Sequence, residues 1–251
     1  MGIIGGSLGY NLLKKISKDG ETGYMDGSVY ANKSKLETLL GTNFWHEIKD
    51  KVVVDFGCGS GVDSVEMAQR GARKVIGIDI QEEFLSTARE RAKQFGVSDR
   101  CIFATKTDAR ADVIVAVDSF EHFNDPAAVL KTMSEMIKPP GCVIASFGPT
   151  WYHPLGGHLF SVFPWAHLIF TEEALIRWRM DFKSDGAKRF HEVEGGLNQM
   201  TIRRFERIVR ESPFEFARFE AVPIRKLSML ANRLTREFTT AVVRCKLVPR
   251  G

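Results

Sequence analysis

The stretch Val52-Val53-Val54-Asp55-Phe56-Gly57-Cys58-Gly59-Ser60-Gly61 passes from a β-branched run into a glycine cluster, and residues 62–70 follow with apolar positions at helical spacing. A short apolar run closed by turn residues predicts a buried strand, so this segment reads as strand, glycine turn and helix. Outward from it the pattern repeats. Residues 75–80 predict a second strand, 81–95 a helix, 101–105 a third strand and 112–117 a fourth. A helix over 127–137 leads through the turn Pro139-Pro140-Gly141 into a fifth strand at 141–147. Near the end, residues 201–211 predict a helix, and 214–220 and 238–246 predict two more strands. Alternating strands and helices with short connections specify a sheet covered on both faces by right-handed crossovers. The expected fold is therefore α/β: a doubly wound, seven-stranded, mostly parallel sheet of Rossmann-like type.

Residues 149–200 interrupt the alternation between strand five and the following helix and are rich in Trp, His, Phe and Gly. A long interruption in a compact domain predicts an inserted lid, here over the carboxyl edge of the sheet. The expected organisation is an N-terminal helical cover at 1–50, a ligand-binding core at 51–148, a substrate lid at 149–200 and the rest of the core at 201–246. The cover contains a predicted helix at 33–40 stopped by Gly41 and no evident chemistry of its own. Leu247-Val248-Pro249-Arg250-Gly251 reads as the remnant of a thrombin-cleavage linker and is expected to lie outside the fold.

A chain of 251 residues can bury one large core. Its 44% hydrophobic and 26% charged residues exclude disordered and fibrous classes. The four cysteines lie far apart with no CxxC pair, which predicts neither a disulfide framework nor a zinc site and fits a reducing, cytoplasmic setting. No apolar run approaches the roughly 18 residues of a membrane span, and Gly6 stands where N-myristoylation needs Ser or Thr. No membrane partner is expected. From Thr201 onward there are 12 Lys and Arg against 5 Asp and Glu. Solvated helix faces account for such a surplus more readily than a nucleic-acid site does.

Three ligands compete for the glycine turn. A dinucleotide fingerprint would need glycine at position 62, where Val62 stands, and Asp55 would repel a pyrophosphate. A phosphate-binding Walker loop would need Gly-Lys-Ser/Thr, which is absent. An acid beside the D-x-G-x-G-x-G turn instead suits a ligand that is cationic there, as the ammonium and sulfonium of S-adenosylmethionine are. Asp79, eighteen residues beyond Gly61, ends the second strand and can accept from both ribose hydroxyls.

On residues 55–61 and Asp79 the chain resembles the class I S-adenosylmethionine-dependent methyltransferases, especially the broad group acting on small molecules, over about residues 50–147. The resemblance implies that Asp55, Gly57, Cys58, Gly59 and Gly61 lie along the methionine and ribose, and that Ile80 flanks the adenine. It also implies that Asp108-Ala109 meets the exocyclic amine, the alternative being that Asp108 simply caps a turn. In Asp118-Ser119-Phe120-Glu121-His122-Phe123, it sets Asp118 near the methionine moiety and His122 near the methyl or the substrate.

Methyl transfer from a sulfonium is an in-line displacement with a neutral leaving group, so the enzyme must align the reactants and, for a hydroxyl or thiol, accept a proton. Histidine suits that task near neutral pH. His153 and His158, with Tyr152, open the lid, and His122 closes the fourth strand, which ranks the candidate bases as His153, His158, His122. Two histidines at this spacing would suit a metal, but no Cys, Asp or Glu completes the set nearby in the chain, and none is expected. Phe160, Phe163, Trp165, Leu168, Ile169 and Phe170 form either the lid's core or an apolar acceptor pocket. The expected function is methyl transfer to a small aromatic or apolar acceptor. The alternatives are an RNA or protein substrate held by the basic C-terminal region, and a non-catalytic S-adenosylmethionine-binding protein.

Overall fold

Seven strands form one sheet in the order β3-β2-β1-β4-β5-β7-β6. The structure, a computed structural model, describes residues 2–17, 33–193 and 195–251. Among the described residues three helices come first: α1 (Gly6–Ile16), α2 (Lys35–Leu40) and α3 (Phe44–Ile48). Ser34 caps α2 by accepting from the Glu37 N–H at 3.0 Å, and Gly41 ends it. The alternating part follows as β1 (Val52–Phe56), α4 (Val62–Gln69), β2 (Lys74–Ile78), α5 (Glu82–Gln94), β3 (Cys101–Ala104), β4 (Ala111–Val117), α6 (Pro126–Met136) and β5 (Ile137–Phe147). Its strands pair in parallel, and the β1–β4 seam is where the order reverses. In open sheets of this kind the ligand crevice lies at that seam, outside the carboxyl ends.

The β-branched strands are buried on both faces, as a doubly covered parallel sheet requires. On one face Val53, Val75, Val113 and Val115 pack with Leu36, Leu39, Ile48, Val65 and Leu85 from α2 to α5. On the other, Val54, Ile76, Ile114 and Val143 pack with Leu130 and Met133 of α6 and with Phe205 and Val209 of α9 (Ile202–Glu211). Between β5 and α9 lie α7 (Ala166–Ile169), α8 (Glu172–Arg179) and 3-10 turns at His158–Phe160 and Phe190–Glu192. Phe160, Phe170, Leu175, Trp178 and Phe190 form a third apolar cluster there. Leu13 of α1 belongs to this cluster, and Ile4 bridges to Phe170. The first helix therefore covers the interrupting segment, whereas α2 and α3 cover the sheet.

Three boundaries differ from those read in the sequence. β5 begins at Ile137, because Ile137 pairs with Ala111 ahead of a register shift and the strand runs on through the two prolines. The final hairpin is β6 (Phe214–Pro223) and β7 (Thr240–Pro249), with Phe238 in the short helix α10 (Arg236–Thr239). That helix buries Glu237, whose carboxylate accepts from the Ile202 and Arg203 N–H groups at 3.0 and 2.9 Å and caps α9. The third difference is a correction: residues 247–249 are part of the sheet. Leu247 is fully buried and pairs with Val143, and Pro249 faces Phe214, because apolar alternation continues past Lys246. Among the described residues no helix is long and apolar enough to cross a membrane.

Candidate functional site

The glycine turn lies at the carboxyl end of β1. Gly57 and Cys58 both donate to the Ile78 carbonyl, at 2.8 and 3.0 Å, which folds the turn over the end of β2. Gly57, Gly59 and Gly61 adopt φ of 84°, 49° and 74°, the left-handed region that favours glycine. At Gly61 a Cβ would also sit 2.6 Å from the Ala88 Cβ, whereas at Gly59 it would meet nothing within 4 Å. The first fixes the turn against α5; the second leaves its outer surface open to a ligand.

Asp79 closes the other side. Its carboxylate accepts from the Gly59 N–H at 2.9 Å and the Gln81 N–H at 3.0 Å, one bond on each oxygen, so a lone pair remains on each. Beside it Ile80 is 89% exposed, an apolar side chain with its face left uncovered. Asp108 is exposed, and Ala109 packs partly against the second core face. Two residues of the turn face inward. Asp55 is buried and accepts from the Ser64 hydroxyl at 2.5 Å, and the buried Cys58 thiol is pushed up by burial, so Cys58 offers the crevice its backbone alone.

Asp118, at the end of β4 with φ of 49°, makes an ion pair with Lys35 at 3.2 Å. Lys35 also meets Asp63 at 3.2 Å. Burial alone would lower the Lys35 pKa, but Asp63 and Asp118 hold it above its ordinary value. The reading that residues 1–50 carry no chemistry is therefore corrected: α2 brings a cation to the mouth of the crevice. No local signal in the sequence links Lys35 to Asp118.

The loop after β4 is clamped by the interrupting segment. The Asn198 side chain donates to the Phe120 and Phe123 carbonyls, both at 2.7 Å, and the Asn198 N–H to the Glu121 carbonyl at 3.0 Å. His122 donates from Nδ1 to the Gly196 carbonyl at 2.9 Å, and His158 from Nδ1 to the Gly156 carbonyl at 3.1 Å. A carbonyl only accepts, so each Nδ1 carries the hydrogen and each Nε2 keeps its lone pair. The two rings meet edge to face with centroids 5.4 Å apart.

His153 is different. Its Nδ1 accepts from the Leu155 N–H at 2.9 Å, so the proton sits on Nε2 and no lone pair is left to act as a base. The ranking that put His153 first is corrected on that ground. His167 is buried, bonded to the Trp151 carbonyl at 2.6 Å, and belongs to the third apolar cluster's surroundings. Phe160 and Phe170 serve that cluster too, with Phe163, Leu168 and Ile169 packed against it. Glu121, distant from His158 in the chain, stands near it in space. Glu121 is buried, its Oε1 accepts from the Gly148 N–H at 3.1 Å, and one ligand atom from each of Glu121, His122 and His158 lies within 4.8 Å of the other two.

These buried groups give the ligand-free protein a defined pH dependence. Burial, reinforced by Asp63, pushes Asp55 up to about 7, and burial reinforced by Asp118 pushes Glu121 up to about 8. The folded chain thus holds protons that the unfolded chain releases near 3.8 and 4.5, and stability falls as pH rises through this window. Burial pushes His153, His158 and His167 down to about 4, so the unfolded chain takes up the extra protons below 6.5 and their contribution rises with pH until then. Above pH 6.5 the carboxyl effect stands alone. The calorimetric midpoint is expected to fall between pH 6.5 and 8; a flat or rising midpoint would show both carboxyls ionised in the folded state.

Comparison with known proteins agrees with this geometry. The chain is 37% identical over 107 residues to a ubiquinone biosynthesis O-methyltransferase of Neisseria meningitidis serogroup C, which covers 40% of this chain and 45% of that protein. It is 38% identical over 103 residues to a ribosomal protein L11 methyltransferase of Haemophilus influenzae, covering 38% of this chain and 32% of that one. The chain thus spans less than half the length of either relative. Among solved structures, a magnesium protoporphyrin IX methyltransferase from Synechocystis with bound S-adenosylmethionine superposes with a TM-score of 0.54 at 17% identity, over 97% of this chain and 92% of that one. An S-adenosylmethionine-dependent methyltransferase from Clostridium acetobutylicum reaches 0.58 at 11% identity, over 90% and 96%. These two likenesses are of fold. The model of the methyltransferase-domain family matches residues 27–216, and the chain belongs to that family, on the class I S-adenosylmethionine-dependent methyltransferase fold.

Proposed function

We propose that this chain transfers a methyl group from S-adenosylmethionine to a small, apolar or aromatic acceptor bound between the loop at 118–123 and the segment at 149–200, which acts as a lid. The observation that carries this reading is the pairing of His122 on the core with His158 on the interrupting segment, ring to ring at 5.4 Å over the carboxyl edge. Such an enclosed edge suits a small acceptor, because a lid that approaches so closely leaves little room for an RNA or a folded protein. The basic C-terminal region is partly consumed internally: Arg236 pairs with Glu206, Lys246 with Glu47 and Arg218 with Glu220.

When bound, S-adenosylmethionine supplies an electrophilic methyl on a sulfonium whose departure leaves a neutral thioether. The chain's own groups suit it. The open backbone at Gly59 admits the ligand, with Gly57 and Gly61 shaping the turn, and the two free lone pairs of Asp79 receive ribose hydroxyls. The uncovered face of Ile80 would take the adenine, and Asp108 would receive its exocyclic amine. Asp118, shared with Lys35, would receive the ammonium, and Asp55, tied to Ser64, supports the turn. The Nε2 lone pairs of His122 and His158 point the proton-acceptor role to this pair.

Methyl-labelled S-adenosylmethionine incubated with the protein, small phenols, total RNA and total protein tests the reading. Label in the small-molecule fraction is expected; label confined to RNA or protein overturns it. Asp79→Ala is expected to weaken S-adenosylmethionine binding by about 1–3 kcal/mol, the scale of hydrogen bonds to a charged group. Calorimetry giving unchanged affinity would remove the ribose assignment.

A further inference from the structure

We propose that Glu121, His122 and His158 form a site for one divalent transition-metal ion. Three observations carry it. First, one ligand atom from each residue lies within 4.8 Å of the other two, although the three come from the loop after β4 and from a separate turn 36 residues further on. Bonds of about 2.0–2.1 Å to a tetrahedral ion hold donors about 3.4 Å apart, so binding draws them together by at most about 1.4 Å.

Second, both imidazoles already hold the tautomer that a ligand needs. His122 and His158 each donate Nδ1–H to a backbone carbonyl, of Gly196 and Gly156. This is the outer-shell arrangement that fixes the tautomer of metal-bound histidine and presents Nε2 to the ion. Third, Glu121 has a loose end. Its residue is 2% exposed and its Oε1 is satisfied by the Gly148 N–H, but its Oε2 is buried and finds no hydrogen-bond partner among the described residues. A buried carboxyl oxygen left unpaired is costly and calls for a partner, and a cation that displaces the carboxyl proton and is shared with two neighbouring imidazoles supplies one.

The donor set names the class of ion. Two imidazoles and one carboxylate suit zinc and its borderline neighbours, whereas magnesium and calcium favour oxygen donors throughout. Three protein ligands leave a coordination position open, the pattern of a site that acts on a substrate. That use rests on the proposed methyl transfer: an acceptor hydroxyl at the open position would ionise near neutral pH, taking over the task otherwise left to the free imidazoles. The binding itself does not depend on that reading.

The test uses chelator-stripped full-length protein titrated calorimetrically with zinc chloride, beside magnesium chloride. One zinc per chain is expected, with no comparable heat from magnesium. Glu121→Gln and His158→Gln are each expected to weaken zinc binding at least 10-fold, while His191→Gln, on an exposed residue, leaves it unchanged. Zinc should raise the melting temperature of the wild type and not of the two site variants, which also reports whether those variants fold. No one-to-one binding, or equal affinity in folded site variants, overturns the site. S-adenosylmethionine binding and methyl transfer, measured on the same stripped protein, report separately on the proposed function.

Discussion

His122→Ala and His158→Ala are each expected to lower turnover of a hydroxyl or thiol acceptor by about 10²- to 10⁴-fold while leaving S-adenosylmethionine affinity nearly intact. The ring nitrogen already committed to a hydrogen bond decides this. In both residues the Nδ1 hydrogen is spent on a carbonyl, of Gly196 or Gly156, which leaves the Nε2 lone pair free, and the two rings lie edge to face 5.4 Å apart. Loss of either ring removes a lone pair from the edge where an acceptor must lose its proton. In the proposed site, cofactor affinity rests instead on the glycine turn and Asp79, at the ends of β1 and β2. His153→Ala serves as contrast, because its Nδ1 is occupied by the Leu155 N–H. A much smaller loss is expected there, from packing. Rates against pH for the three variants decide the matter: full turnover and an unchanged profile in both His122→Ala and His158→Ala would leave alignment alone as the source of catalysis.

The second large effect is on stability. Phe205→Ala is expected to cost about 3–5 kcal/mol, the range for truncating a buried phenylalanine, and to lower the melting temperature by about 6–20 °C in a chain of this size. Phe205 is fully buried on α9 and packs its ring on three others, Phe147 at 4.7 Å, Phe120 at 5.1 Å and Phe216 at 6.0 Å. Such a cage cannot close over the void, because Phe147 and Phe216 belong to paired strands and the Phe120 carbonyl is held by Asn198. Phe120 and Phe147 also flank the loop and strand end that carry Glu121 and Gly148, so the same cluster gives the site its rigid floor. Urea unfolding checks it: a midpoint shift worth less than 1 kcal/mol at unchanged slope would show that the cluster relaxes freely.

The parts of this architecture that could be read in the sequence are the local ones. The run at Val52, Val53 and Val54 and the spacing of Gly57, Gly59 and Gly61 act through neighbours in the chain, so strand, turn and helix are visible before any folding. Lys35 was invisible because its charge acquires meaning only when the fold brings α2 against Asp63 and Asp118. Glu121 is hidden for a similar reason: its distance from His158 along the chain conceals their closeness in space. The misranking of His153 has another cause. Residue type and position identify an imidazole near the edge, but only the direction of the Leu155 N–H shows that its acceptor nitrogen is taken. At 247–249 a resemblance to a linker outweighed apolar alternation, which the pairing of Leu247 with Val143 vindicates.

β7 follows every other strand in the chain yet lies inside the sheet, between β5 and β6. As the polypeptide leaves the ribosome, β1 to β5 can pair in parallel as they emerge, but β5 then presents an open edge and β6 has no partner of its own to join. Both wait for Thr240–Pro249. The nascent chain therefore carries an unpaired, apolar strand edge through the synthesis of about a hundred residues, the interval in which such edges recruit chaperones or one another.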